Sequence, residues 1–164
     1  RRGEKPSGRY LKQRKRVARI HAKIADARTD ALHKVTTMLA DENQVLCMED
    51  LNAKGMVRNH HLAKAVSDAS FGEFARLLEY KCAERGRTLV KVDRFYPSSK
   101  TCSGCGHRLD ALPLSVRSWD CPSCGVHHDR DVNAAKNILA EGKRIFSNTE
   151  GTAGHAGTVA ATVA

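Results

Sequence analysis

Hydrophobic positions along the chain change period four times, and each change marks an element. From about Arg9 to Ala40 the apolar residues Val17, Ile20, Ile24, Ala27, Ala31, Val35 and Met38 recur at steps of three and four, one stripe of a long helix. Residues 44 to 51, Gln-Val-Leu-Cys-Met-Glu-Asp-Leu, form a short apolar run closed by acids, which predicts a buried strand over Val45 to Met48. Asn52 to Asn59 is expected to be a loop with Lys54 and Gly55 at its tip. Helical spacing returns from Ser67 to Arg85, with Phe71, Phe74, Leu78 and Cys82 on one face, Ser70-x-x-Glu73 as a capping box and Gly86 as the stop. Thr88 to Arg94 alternates as a second strand. A strand, a helix and a strand with a crossover of this length make a right-handed parallel unit, so the fold class is α/β. Asp129 to Glu141 is the closing helix, with Asp129 as N-cap and Gly142 as C-cap. The rest, rich in Gly, Ala, Thr and Val without period, is expected to be disordered. Cys47 and Cys82 fall on a strand and a helix face as small core residues.

Charge sharpens this outline. Of a formal net charge of +10 in 164 residues, residues 1 to 34 hold 12 Lys/Arg against 3 Asp/Glu, and the remainder is close to neutral. Arg14, Lys15, Arg16, Arg19, Lys23 and Arg28 crowd the other faces of the first helix; such residues can be a solvated surface, but their concentration favours contact with a polyanion, above all nucleic acid. No apolar run is long enough to span a membrane and no signal-peptide core is visible, which predicts a cytoplasmic protein.

Cysteine spacing gives the sharpest chemical signal. Cys102-Ser-Gly-Cys105 and Cys121-Pro-Ser-Cys124 are separated by fifteen residues, inside the range of roughly 15 to 20 for two knuckles that share one zinc. Local disulfides or redox thiols are the weaker alternative, since nothing points to an oxidising compartment. Four protein ligands close the metal's shell, so this Zn2+ is expected to hold structure only. His107, His127 and His128 are then surface groups or partners of the ligands. Trp119, the only Trp, either packs on the knuckle or stacks on a base.

Two carboxylates stand apart from the rest. Glu49 closes the first strand, at the end where parallel sheets place ligands, and Asp131 lies in the first turn of the closing helix. If that helix crosses the sheet, the two would approach each other and call for Mg2+ or Mn2+ between them, a setting for phosphodiester hydrolysis. Otherwise Glu49 caps a loop and Asp131 only favours a helix N-terminus.

Val45-Leu-Cys-Met-Glu-Asp-Leu-Asn-Ala-Lys-Gly-Met56, Ser67-Asp-Ala-Ser-Phe-Gly-Glu-Phe74, Lys91-Val-Asp-Arg-Phe-Tyr-Pro-Ser-Ser-Lys-Thr-Cys102 and His128-Asp-Arg-Asp-Val-Asn-Ala-Ala-Lys-Asn-Ile-Leu139 closely resemble the C-terminal half of TnpB-type (OrfB-family) transposon proteins, relatives of type V CRISPR nucleases. The resemblance covers about residues 8 to 142. It implies a partial RNase H-like, RuvC-like domain over residues 9–95, a zinc ribbon inserted at 96–127 and a final RuvC-like helix at 128–142, between a starting loop at 1–8 and a tail at 143–164. Glu49 matches the family's second catalytic acid and Asp131, rather than Asp129, the third. The family cleaves DNA with a guide RNA, the guide pairing reading sequence. Lys54, Arg58, Arg94 and Lys100 join the basic helix as candidate phosphate contacts.

The family's first catalytic Asp, on an early strand, has no counterpart in Arg1 to Ser7. The chain is therefore expected to be a C-terminal part whose N-terminal strands are missing. It should expose an apolar sheet edge that invites self-association or the missing part. Two functions follow: a divalent-metal DNA endonuclease, or a remnant that only binds DNA or RNA through the basic helix and zinc ribbon.

Overall fold

The computed structural model describes residues 6–61, 63–150 and 159–163. Helix α1 (Gly8–Glu42) opens the chain, its first turn capped by the Ser7 side chain accepting from the Tyr10 amide. Strand β1 (Val45–Glu49) follows, then the short helices α2 (Ala53–Arg58) and α3 (Ala63–Ala69), helix α4 (Phe71–Glu84) and strand β2 (Thr88–Val92). Strands β3 (Ser118–Asp120) and β4 (His127–Asp129) form an antiparallel hairpin. Helix α5 (Arg130–Glu150) and strand β5 (Val159–Val163) complete the chain.

As expected, β1 and β2 pair in parallel, Val45 opposite Thr88 through Glu49 opposite Val92. Strand alternation sends Leu46 and Met48 to one face, where they meet Ala40 of α1 with Leu78 and Cys82 of α4. Val45, Cys47, Val90 and Val92 face the other way and meet Ile138 of α5. The sheet is thus sandwiched between α1 with α4 and α5. Gly86 ends α4 in the left-handed conformation, φ +61°, as its place in the sequence suggested.

Several expectations are corrected. An apolar stripe ordinarily marks the buried face of a helix, yet Val17, Ile20, Ile24, Val35 and Met38 are all exposed. The docked face carries Thr36 and Ala40 instead. The reason is the buried Lys81 of α4, whose ammonium donates to the His33 carbonyl at 2.7 Å and to the Thr36 and Thr37 hydroxyls at 2.8 Å each. A buried ammonium must find acceptors, and this polar lock fixes α1's rotation.

The loop expected at Asn52 to Asn59 contains α2, because the Asn52 side chain accepts from the Gly55 amide and caps a helical turn. The helix expected over Ser67 to Arg85 is two helices, broken at Ser70, which adopts φ 55° and ψ 33°. No capping box forms there: the Ser70 hydroxyl donates to the Ser67 carbonyl, and Glu73 pairs with Arg76.

Gly142 does not end the last helix. It lies where α5 crosses β1, and a Cβ there would stand 2.3 Å from Cys47 Sγ, so its bareness permits close packing. Of the tail, residues 143–150 continue α5 and residues 159–163 form β5; residues 151–158 and 164 lie outside the described residues. The edge of β1 expected to be free is paired in parallel with β5, a Val-Ala-Ala-Thr-Val run compatible with extended backbone.

Candidate metal centre and acidic site

Each cysteine pair sits in a tight turn of the same design. The Cys102 amide donates to the His107 carbonyl at 2.8 Å and the Gly106 amide to the Cys102 carbonyl at 2.9 Å; Cys121, Val126 and Gly125 repeat the pattern at 3.0 and 2.8 Å. Gly106 and Gly125 carry φ of +78° and +72°, a conformation only glycine adopts freely. The four sulfurs all lie within 4.8 Å of one another, with Cys102 to Cys124 at 3.7 Å and Cys105 to Cys121 at 3.6 Å. A tetrahedron with metal–sulfur bonds of about 2.3 Å has edges of about 3.8 Å, so the set could hold one metal ion. It is the one group of three or more Cys, His, Asp or Glu in such proximity among the described residues.

Cys121 and Cys124 are pushed in opposite directions. Burial raises the Cys121 thiol, but amide hydrogen bonds from Cys124 and Ser123 outweigh it and bring the value down to about 6. At Cys124 the Val126 amide pulls downward, while hydrogen bonding with the neighbouring thiols and burial push the value up to about 12. A thiol already drawn toward its thiolate, as Cys121 is, suits a cation as its neighbour.

His128 is buried with Nε2 3.0 Å from Cys102 Sγ, and its ring lies 4.8 Å from that of Trp119. Trp119 is 7% exposed and packs on the knuckle, which leaves its ring no room to stack on a base. His107 and His127 are exposed, the latter 2.7 Å from Asp120.

Two asparagines that sequence pattern alone did not single out tie this module to α5. Asn133 is 1% exposed; its Oδ1 accepts from the Ser103 amide at 2.9 Å and its Nδ2 donates to the Thr101 carbonyl at 2.7 Å. Asn137 donates to the same carbonyl at 2.6 Å and to that of Ser98 at 2.8 Å. The available signal was two helix-neutral amides four residues apart on an otherwise apolar face.

Glu49 belongs by strand alternation to the Cys47 side of the sheet, the side that α5 covers. It is half-buried, and burial alone pushes its carboxyl above the ordinary range. On the α4 side a cavity of about 260 Å³ lined by Met48, Glu49, Phe71 and Phe74 reaches the same strand end. Asp131 occupies the first turn of α5 and is exposed, with Arg117 3.9 Å away. Asp129 acts on the backbone instead, its Oδ1 accepting from the Asp131 and Val132 amides at 3.0 and 2.9 Å and so capping the helix. Among the described residues, no hydrogen bond or ion pair joins Glu49 to Asp131.

The candidate phosphate contacts divide. Arg14, Lys15, Arg16, Arg19 and Lys23 are exposed on α1, and Lys54 and Arg58 on α2. Arg94 is already paired with Asp50 at 2.7 Å, and Lys100 donates to the Asp110 carbonyl at 3.0 Å. No helix among the described residues is long and apolar enough to cross a membrane.

Two family models match: OrfB_IS605, described as a probable transposase, over residues 1–60, and the TNB domain of Cas12f1-like proteins over residues 71–138. A protein of Streptomyces pristinaespiralis, provisionally named an RNA-guided DNA endonuclease, is 53% identical over 138 residues, covering 84% of this chain and 34% of its own. InsQ of Escherichia coli, provisionally named in the same way, is 32% identical over 156 residues, covering 86% of this chain and 39% of its own. The chain therefore spans about a third of the length of the curated relatives it matches. In the solved structure of a Cas12f1, guide RNA and target DNA complex, one chain superimposes with a TM-score of 0.59 at 23% identity, over 79% of this chain and 38% of its own, a likeness of fold.

Proposed function

The chain belongs to the TnpB-type, OrfB transposase family, and from that premise we propose that it is the RuvC-like and zinc-ribbon part of a cytoplasmic, RNA-guided DNA endonuclease. The observation that carries this reading is the placement of the acids. Glu49 ends β1 on the sheet face covered by α5, and α5 carries Asp131 in its first turn. In this reading the sheet belongs to an RNase H-like fold, and DNA and a guide RNA are the partners.

Desolvation without a neighbouring cation makes the Glu49 carboxylate a poor solitary anion and a good ligand for a hard divalent ion. Bound Mg2+ or Mn2+ would supply Lewis-acid stabilisation of the phosphodiester and a more acidic water. Glu49 and Asp131 would hold that ion and orient its water, and Asp129 fixes Asp131 by capping the helix beneath it. Cys102, Cys105, Cys121 and Cys124 would bind Zn2+ and keep the ribbon folded against α5. Exposed cations of α1 and α2 would follow the phosphate backbone. Arg94 and Lys100, already engaged within the chain, would help hold the site's rim and contribute less to binding.

A second reading is supported by the donor count. The four thiols are the one cluster of three or more potential ligands among the described residues, and two carboxylates hold two metals poorly. A chain of this kind would bind DNA or RNA without cutting it. The experiment is Mg2+- or Mn2+-dependent cleavage of labelled single- and double-stranded DNA, beside Glu49→Gln and Asp131→Asn. Cleavage lost in both variants supports the nuclease; salt-sensitive binding without cleavage supports the binding module.

A further inference from the structure

Phe95 is the most exposed large hydrophobic residue among those described, at 84%. Its neighbour Tyr96 turns the other way and packs against the Val92 and Ile138 cluster. Two adjacent aromatics thus go to opposite sides of one turn, and the turn is pinned. The Asp93 carboxylate accepts from the Phe95 amide at 2.7 Å, the Asp93 carbonyl from the Tyr96 amide at 3.0 Å, and the Tyr96 carbonyl from the Ser98 amide at 2.7 Å. Arg94 ties the same turn to Asp50 at 2.7 Å, and the Asp50 amide donates to the Val92 carbonyl at 2.8 Å. Phe95 therefore stands three residues past Val92, the register partner of Glu49, on backbone fastened to the residue that follows Glu49.

An aromatic ring in water forgoes the gain that burial gives it, and here it is displayed on a restrained turn where the strands deliver their C-terminal ends. We propose that Phe95 is a stacking platform for a nucleobase, holding an unpaired nucleotide at the mouth of the Glu49 and Asp131 site. The inference rests on the proposed nuclease or binding function and adds to it a contact with a base. Such stacking accepts any base, because every base offers a π-face. Its use is register: a base held on Phe95 fixes how far along the strand the next phosphates lie from Glu49. The bound class is single-stranded or locally opened DNA or RNA. Trp119, the other aromatic considered for this role, is buried in the ribbon.

The test is a binding titration of the purified, zinc-loaded chain with oligothymidylate, without Mg2+ so that no strand is cut. In Phe95→Trp the exposed indole should be quenched in a saturable way, while wild-type emission, from the buried Trp119, stays constant. Phe95→Ala should weaken binding about tenfold, within the range alanine substitution gives for one stacked base. The slope of log affinity against log salt should not change, because no charge is removed; Arg16→Ala should instead lower that slope by about 1. Melting of Phe95→Ala should match wild type, and Phe95→Trp should restore affinity. Salt-sensitive binding that neither quenches Phe95→Trp nor weakens in Phe95→Ala would overturn the platform and leave the proposed function standing. Failure of the wild-type chain to bind the oligonucleotide would overturn both.

Discussion

The sheet and the cysteine ribbon are built on opposite principles. β1 contributes Val45, Leu46, Cys47 and Met48 to two apolar clusters, one on each face, and α1, α4 and α5 cover them. The ribbon's apolar cluster is only Cys102, Trp119 and Cys121, with Leu109, Leu112 and Val116 beside them, around a hairpin of two three-residue strands. Apolar burial is enough to order the first. The second is too small to offset its own ordering entropy without a cross-link, which a metal on four thiolates would supply. Only α5 answers to both, through Ile138 on one side and Asn133 with Asn137 on the other.

The largest effect should come from metal removal. Structural zinc contributes about 10 to 16 kcal/mol in small zinc domains, so a strong chelator or Cys121→Ser should abolish amide protection across residues 98 to 129. β1 and β2 should stay protected, as read by hydrogen exchange; a sheet that melts together with the ribbon would erase the distinction. Gly142→Ala tests the sheet side alone. Its Cβ would meet Cys47 Sγ at 2.3 Å and Cβ at 2.7 Å, and forcing the helix outward should cost about 3 kcal/mol in denaturant unfolding with zinc affinity unchanged. Asn133→Ala strikes the joint. It leaves the Ser103 amide without its partner and should cost about 1 to 3 kcal/mol. Unlike Gly142→Ala, it should lower zinc affinity and the protection of the first turn of α5 together.

The smallest effect is a pH dependence on the sheet side. Burial holds the Lys81 ammonium below its ordinary value of 10.5. Between its folded and unfolded values the unfolded chain binds more protons, so Lys81 adds stability as pH rises through that window. The difference in unfolding free energy between wild type and Lys81→Met should therefore move in favour of wild type as pH approaches 10.5. A difference that does not move would show that the ammonium is as well solvated as in the unfolded chain, and one that moves the other way that its three acceptors outweigh burial.

Elements governed by local chemistry were legible in the sequence, and those governed by a distant partner were not. The knuckle turns, the strand runs β1 and β2, the Gly86 stop and the Asp129 cap each follow from residues within a few positions, and the parallel pairing of the two strands from the length of the crossover between them. The rotation of α1 depends on Lys81, about 45 residues away, so its apolar stripe misled about which face is buried. Gly142 resembled a helix stop because its reason, Cys47, lies in a strand nearly a hundred residues earlier. Ser70 offered a capping sequence, but the left-handed turn between α3 and α4 used its hydroxyl otherwise. For the cysteine cluster, the thiols were visible by type and spacing. His128, expected at the surface or beside a ligand, is the ligand's partner, whereas Asn133 and Asn137 act by holding others and became recognisable only through the groups they touch.

Gly142 also acts as a fulcrum. Asp131 lies eleven residues toward the N-terminus of the same helix, about 16 Å at 1.5 Å per residue. Tilting α5 by about 5° where it rests on Cys47 would swing Asp131 through about 1.4 Å, and under the proposed nuclease function a misplacement of about 1 Å can cost a hundredfold in rate. One absent methyl group at the crossing thus sets the aim of a carboxylate at the far end of the lever.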